Sequence, residues 1–193
     1  FPVQHVIRPY TDEYHDYRGY AGRIAGGIFK RGDDVMLLPS GFTTKISKIE
    51  TYDGELDEAY PPMSVTMHIE DDFDVSRGDM IVRDNNMPRQ EQEVDLMICW
   101  FNERPLQERG KYLLRHTTKE ARCIIREVRY RMDVNTLHRD INSKQINMND
   151  IARISIRSTL PLFVDPYQKN RITGSVILID EGTNETVAAG MVI

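Results

Sequence analysis

The first 83 residues read as short stretches of alternating apolar and polar side chains cut by turn residues. Period-two alternation marks a half-buried strand, and it predicts strands over Val3–Ile7, Tyr20–Phe29, Val35–Leu38, Thr43–Tyr52, Ser64–Ile69 and Met80–Val82. Between them lie Gly32-Asp33-Asp34, Pro39-Ser40-Gly41, Asp53-Gly54 and Arg77-Gly78-Asp79, where glycine permits positive φ and Asp closes an Asx turn. No strong helical period appears, so an antiparallel meander or Greek key is expected, in a small barrel or sandwich whose closure protects the strand edges. The second half resumes with Val94–Trp100, Lys111–His116, Arg122–Val134, Ile151–Arg157, Gly174–Ile179 and Val187–Ile193.

Segment 121–134 fits two periods. Ala121, Ile124, Ile125, Val128 and Met132 have helical spacing, whereas Ala121, Cys123 and Ile125, then Val128, Tyr130, Met132 and Val134, alternate. One extra residue near Arg126-Glu127 restores the alternation, so a long bulged strand is expected, with Arg122, Arg129 and Arg131 facing outward. Residues 84–92 lack alternation and contain Pro88, which places the domain boundary there. The two halves share no sequence repeat, yet both read as the same kind of β-built object.

Length and charge narrow the function classes. A chain of 193 residues with 40% hydrophobic side chains can fill one core or two small ones without disulfides or metal. Its longest apolar runs, such as Val176–Ile179, are far below spanning length, so no membrane segment is expected. The start, Phe1-Pro2-Val3-Gln4-His5, has neither the basic nor the apolar part of a signal peptide and no initiator Met, and it reads as an excised piece. Cys99 and Cys123 form no CxxC motif and read as reduced cytosolic thiols. The net charge of −5 argues against broad nucleic-acid affinity. It is unevenly spread: residues 1–90 carry 10 Lys+Arg and 16 Asp+Glu (net −6), and residues 91–193 carry 15 and 14 (net +1).

A search for catalytic chemistry is mostly negative. There is no GxxxxGK[ST], and Gly26-Gly27-Ile28-Phe29-Lys30-Arg31-Gly32 lacks the Lys-Ser/Thr that a phosphate cradle needs. His5, His15, His68, His116 and His138 show no ligand-pair spacing and read as independent surface or core residues. Asp71-Asp72-Phe73-Asp74 resembles the opening of a calcium loop, but Ser76 stands where glycine belongs, and it reads as a solvated acidic turn. The positive feature is a basic stretch, Lys111, Arg115, His116, Lys119, Arg122, Arg126, Arg129 and Arg131. Arginines on one strand face can grip carboxylates or phosphates in bidentate fashion, or can be a solvated face paired with nearby Glu residues; the sequence leaves both open.

Certain blocks carry a resemblance. Arg18-Gly19-Tyr20-Ala21-Gly22-Arg23-Ile24, with Gly32-Asp33, Leu38-Pro39-Ser40-Gly41, Asp53-Gly54 and Ser76-Arg77-Gly78-Asp79, resembles the second domain of translation-factor-type GTPases. Phe1-Pro2-Val3-Gln4, Asp133-Val134-Asn135-Thr136-Leu137 and Arg171-Ile172-Thr173-Gly174-Ser175 through Asp180 resemble one branch, the large GTPase subunits of bacterial sulfate adenylyltransferases, along the whole chain. Asp72-Phe73 departs mildly from the acidic-plus-aliphatic pair expected there. As structural motif residues, Gly19 and Gly22 are expected to allow strand reversal and close backbone approach, Arg77-Gly78-Asp79 to turn into a strand, and Gly174 to start a buried strand.

The resemblance implies an all-β chain of two tandem antiparallel β-barrels, domain two at 1–88 and domain three at 89–193. In the parent these follow an N-terminal GTP-binding domain that holds GTP and magnesium. Its phosphate loop, DxxG and NKxD elements have no matching positions here, so no catalytic, cofactor or metal residue is carried over. The implied partners are that GTPase domain and a small, catalytic, ATP-pyrophosphatase-like subunit, with Arg122, Arg129 and Arg131 as the candidate contact face. The implied reaction joins ATP and sulfate into adenosine 5′-phosphosulfate and pyrophosphate in the cytoplasm. A translation-factor fragment binding tRNA or the ribosome is the alternative, and an independent β-barrel interaction protein is a third.

Overall fold

Sixteen strands and no helix form the described residues, 1–9 and 17–193, of this computed structural model. His15 lies outside them. The chain divides into two units, Phe1–Met87 and Pro88–Ile193. All strand pairings are antiparallel, and the chain is all-β as expected.

In the first unit the strands are β1 (Val3–Ile7), β2 (Gly19–Arg23), β3 (Phe29–Lys30), β4 (Asp34–Leu38), β5 (Phe42–Thr51), β6 (Gly54–Glu55), β7 (Glu58–Ala59), β8 (Ser64–Ile69) and β9 (Met80–Val82). Six of them run β1-β2-β8-β5-β4-β9, with β6 as a hairpin off β5 and β3–β7 as a separate ribbon. The outer strands meet at Pro2 and Met80, where Val3 N–H donates to Asp79 (2.9 Å) and Ile81 N–H to Phe1 (2.9 Å), so the sheet curls round its core. Val3, Tyr20, Val35, Leu37, Ile46, Ile49, Met67 and Ile81 fill that core. Ile46 and Ile49 both point inward although three residues apart, because the β5–β8 register shifts between Ile46 and Lys48. The expected strand Tyr20–Phe29 is two strands: Gly26-Gly27, with φ +77° at Gly27, turns the chain out of the barrel after Ile24.

The second unit contains β10 (Arg89–Trp100), β11 (Lys111–His116), β12 (Lys119–Met132), β13 (Arg139–Asp140), β14 (Ile151–Val164), β15 (Ser175–Ile179) and β16 (Thr186–Val192). The order β11-β15-β16-β10-β14-β12 closes into a ring through the β11–β12 ladder, and β13 is a short flap on β12. Inward residues alternate along β10, at Val94, Leu96, Ile98 and Trp100, and along β11, at Tyr112, Leu114 and His116. Segment 119–132 is a strand throughout, and its register shifts between Ile125 and Glu127, which moves the buried phase from Ala121, Cys123, Ile125 to Val128 and Tyr130.

Strands β10 and β14 are longer than their alternation suggested. β10 starts at Arg89, inside the segment expected to be a boundary, and β14 continues past Arg157 to Val164. Their ladder is interrupted where Glu91 pairs with Leu162 and Glu93 with Arg157. Residues 158–161 leave that ladder, and Pro161, which has no N–H to donate, sits within the excursion.

Candidate interaction faces

The glycines of the two most specific blocks are set by contact. A Cβ on Gly22 would lie 2.4 Å from the Pro2 carbonyl oxygen, and one on Gly19 2.5 Å from Thr66 Cγ2. Both residues are inside β2, so close approach to neighbouring strands, and not strand reversal, explains them. In Ser76-Arg77-Gly78-Asp79, Gly78 has φ +95°, the Asp79 carboxylate accepts from Ser76 N–H (2.8 Å), and Arg77 Nη1 donates to the Gln4 carbonyl (3.1 Å). The acidic turn is anchored: Arg18 pairs with Asp72 and donates to the Phe73 carbonyl (2.9 Å), and Phe73 stacks on Phe42.

Around Gly174 the second unit holds a buried polar knot. His116 Nε2 lies 2.8 Å from the Thr173 carbonyl, Thr173 Oγ1 donates to Asp165 (2.8 Å), and Lys169 pairs with the same carboxylate (2.8 Å). His116 is 1% exposed, so of the surface and core readings of the histidines it takes the core one, and it does not share the solvent side of the basic stretch. Burial holds its imidazole below the usual value; the Thr173 hydrogen bond and Asp165 oppose that shift, and Lys119 adds to it. The unfolded chain therefore takes up a proton near pH 6.5 that the folded chain resists. Stability of this unit is expected to fall as pH drops below about 6.5. Thermal unfolding followed from pH 7.5 to 5 checks this, and His116→Gln, which keeps a donor for Thr173, should flatten the slope.

The three candidate arginines do not share one patch. The bulge in β12 separates Arg122 from Arg129 and Arg131. Arg129 pairs with Glu127 (2.7 Å) and Asp95 (3.7 Å), and Arg131 with Asp140 (3.5 Å) and Asp150 (3.9 Å). Asp95 also takes Arg153 from β14 (2.7 Å), so the post-bulge arginines belong to a cross-strand mosaic of alternating sign. Arg122, with 75% of its side chain exposed, pairs among the described residues only with Glu181 (3.1 Å), on the turn between β15 and β16.

On that other side of the bulge lies a groove of about 650 Å³, with Lys111, Arg122, Ile124 and Arg157 among its lining. Lys111 and Arg157 are the two cross-strand partners of Ile124, from β11 and β14. Sequence reading missed Arg157, because only the pairing of β11, β12 and β14 sets residues 111 and 157 on either side of residue 124. A second cluster sits on the first unit, where Glu50 accepts from Tyr17 OH (2.5 Å), Lys48 Nζ (2.6 Å) and the His68 ring (2.9 Å). Among the described residues no group of three or more His, Cys, Asp or Glu side chains could hold a metal ion, and no helix is long and apolar enough to cross a membrane. Cys123 is buried and its thiol is pushed up to about 12, chiefly by that burial.

The family described as GTP-eEF1A C-terminal domain-like matches residues 93–193, the second unit from within β10 to its last residue. The chain belongs to this family. Its similarity to curated proteins extends further, over its full length. It is 49% identical to the bifunctional enzyme CysN/CysC of Mycobacterium tuberculosis, covering 100% of this chain and 32% of that protein. It is 44% identical to sulfate adenylyltransferase subunit 1 of Bacteroides thetaiotaomicron, covering 41% of it, and the resemblance seen in the sequence is to these proteins. The chain thus spans well under half the length of these relatives. Among solved structures, sup35 complexed with GDP superposes on all of this chain and 46% of its own, with a TM-score of 0.87 at 16% identity. That likeness shows that this all-β chain shares the fold of the matching part of sup35.

Proposed function

We propose that the chain supplies the β-barrel portion of the GTPase subunit of a sulfate adenylyltransferase. In this reading it supports GTP-coupled formation of adenosine 5′-phosphosulfate from ATP and sulfate, in the cytoplasm, by docking its own GTPase domain and the small catalytic subunit. GTP and magnesium belong to the GTPase domain, outside these residues. The observation that carries the reading is identity of 49% and 44% over the entire chain to proteins with those names. Curled and closed sheets suit the role physically. A nucleotide shifts an equilibrium only through differential affinity for two states, and a body whose strands are paired edge to edge can carry such a difference without deforming.

The test is co-purification of the chain with the small subunit from a strain expressing both, followed by titration of the purified pair. A stable complex supports the reading. No complex, together with tRNA retention on filters that weakens steeply as salt rises, would favour a translation-factor role instead. Of the three arginines proposed for the contact, Arg122 should matter most, since its side chain is the most exposed and its one acid sits on a turn, whereas Arg129 and Arg131 are each held by two acids. Arg122→Glu is expected to weaken the complex by about tenfold, and Arg131→Glu by less.

A further inference from the structure

The groove beside Arg122 exists because two strands part. Gln92 takes no place in the β10–β14 ladder, and residues 158–161 of β14 leave it opposite, so a hollow opens at the barrel surface where a regular sheet would be filled. Ile124, half-buried, forms an apolar floor. Lys111 and Arg157 flank it from the strands on either side, about 5 Å away each. Arg122, two residues before Ile124 on the same strand, stands at the end.

The acids nearby are few. Glu181 pairs with Arg122 at 3.1 Å, and Glu93 stands 3.9 Å from Arg157, both at exposed positions. Lys111 has no ion pair with an acid among the described residues. Three cations against two loosely held carboxylates leave a positive hollow in a chain whose net charge is −5.

We propose that this groove is a socket for an acidic segment of a protein partner, one that places carboxylates against Lys111, Arg122 and Arg157 and an aliphatic side chain on Ile124. The assignment to a partner rests on the docking reading above. Two features favour a peptide over a free inorganic anion. The hollow is several times larger than a phosphate ion, and its floor is a hydrocarbon surface that a hydrated anion gains nothing by covering but a leucine does. Guanidinium groups also exchange one carboxylate for another at little cost when both are exposed, so Arg122 can leave Glu181 for an incoming Asp or Glu.

The test uses the whole chain with labelled isoleucine methyls and a short synthetic peptide of glutamate and leucine as the probe. The Ile124 methyl resonance is expected to shift on titration while the buried Ile154 stays put, and the affinity should fall as salt rises. The double substitution Lys111→Glu/Arg157→Glu should weaken peptide binding by about tenfold or more, and weaken the small-subunit complex in parallel. Unchanged thermal unfolding would show that the variant is folded.

An Ile124 signal that ignores the peptide, or a double variant that binds it as the parent does, overturns the socket. So does an equal shift with sodium phosphate alone, which would make it a small-anion site. A variant that loses the peptide but keeps the subunit overturns the assignment to that partner. If the parent chain binds no small subunit at all, the docking reading fails, and the peptide titration still decides whether the groove takes acidic segments.

Discussion

Gly174→Ala is expected to destabilise the second unit by about 3 kcal/mol, enough to lower its unfolding midpoint by roughly 15 °C. The added Cβ would stand 2.5 Å from Tyr167 Cα, 2.7 Å from Tyr167 N and 2.6 Å from the Asn170 carbonyl oxygen. All three are backbone atoms, so no side-chain rotation relieves the overlap. Nor can the backbone withdraw freely. Tyr167 N–H is tied to Val192 (2.9 Å), Gly174 N–H to Asn170 (2.8 Å), and Val192 N–H back to Gly174 (2.8 Å), while the Asn170 side chain accepts from Ile172 and Thr173.

The same turn carries Thr173, whose carbonyl and hydroxyl serve His116 and Asp165, so moving it leaves buried polar groups without partners. Gly41→Ala is the control. Its Cβ meets nothing within 4 Å, and only its φ of +77° is unfavourable, so a loss of about 1 kcal/mol is expected. Denaturant unfolding of both variants measures the contrast, and a Gly174→Ala protein within about 0.5 kcal/mol of the parent would show that residues 166–170 can retreat.

Glu50→Gln should cost the first unit about 2 kcal/mol at pH 7, through loss of charge-assisted hydrogen bonds. Burial alone would raise this carboxyl; hydrogen bonds from Lys48, Tyr17 and His68 outweigh it and hold the group at about 2. The Tyr17 hydroxyl is correspondingly pushed up to about 12, by burial first and then by its bond to Glu50. A carboxylate lowered on folding lends stability that is complete above its ordinary value near 4.5 and is lost as pH falls through about 2. The parent's advantage over Glu50→Gln should therefore shrink between pH 4.5 and 2. Tyr17→Phe removes one of the three donors and keeps the ring packed edge-on to His68, so about half the loss is expected. Urea unfolding at pH 7 and pH 3 tests the pair, and a gap that persists unchanged at the lower pH would mean that shape and not charge is responsible.

Much of the fold is legible along the chain because its cause is local. Alternation with period two sets which residues face inward, and once segment 121–134 is a strand, the phase slip at Arg126-Glu127 marks its own bulge, since a regular strand cannot keep both Ile125 and Val128 buried. Turn glycines such as Gly54 and Gly78 show as positive-φ positions for the same reason. Where two local readings competed, context decided. The apolar run Tyr20–Phe29 has the pattern of one strand, but its Gly26-Gly27 pair, at positive φ on Gly27, falls between two, β2 ending at Arg23 and β3 starting at Phe29.

The interaction faces were less legible. Arg122, Arg129 and Arg131 are neighbours in the text and alike in chemistry, but whether each is engaged depends on acids elsewhere in the chain, at Glu181 for Arg122, Asp95 for Arg129, and Asp140 and Asp150 for Arg131. His116 looks like a member of a basic run until the β11 alternation is placed in the ring, where Tyr112, Leu114 and His116 all point to the core. The acidic turn at Asp71-Asp72 gave no hint that Arg18 would reach it.

Residue pattern alone decided that this chain makes antiparallel strands, where most of them lie, and which side of each is apolar, because side-chain alternation and turn stereochemistry act over only a few residues. Tertiary structure decided the order in which strands meet, and with it the groove that sets Lys111 and Arg157 on either side of Ile124. Ring closure is a long-range event: it is driven by burial of the whole apolar face and by pairing of the last free edges, and no short window of sequence contains either.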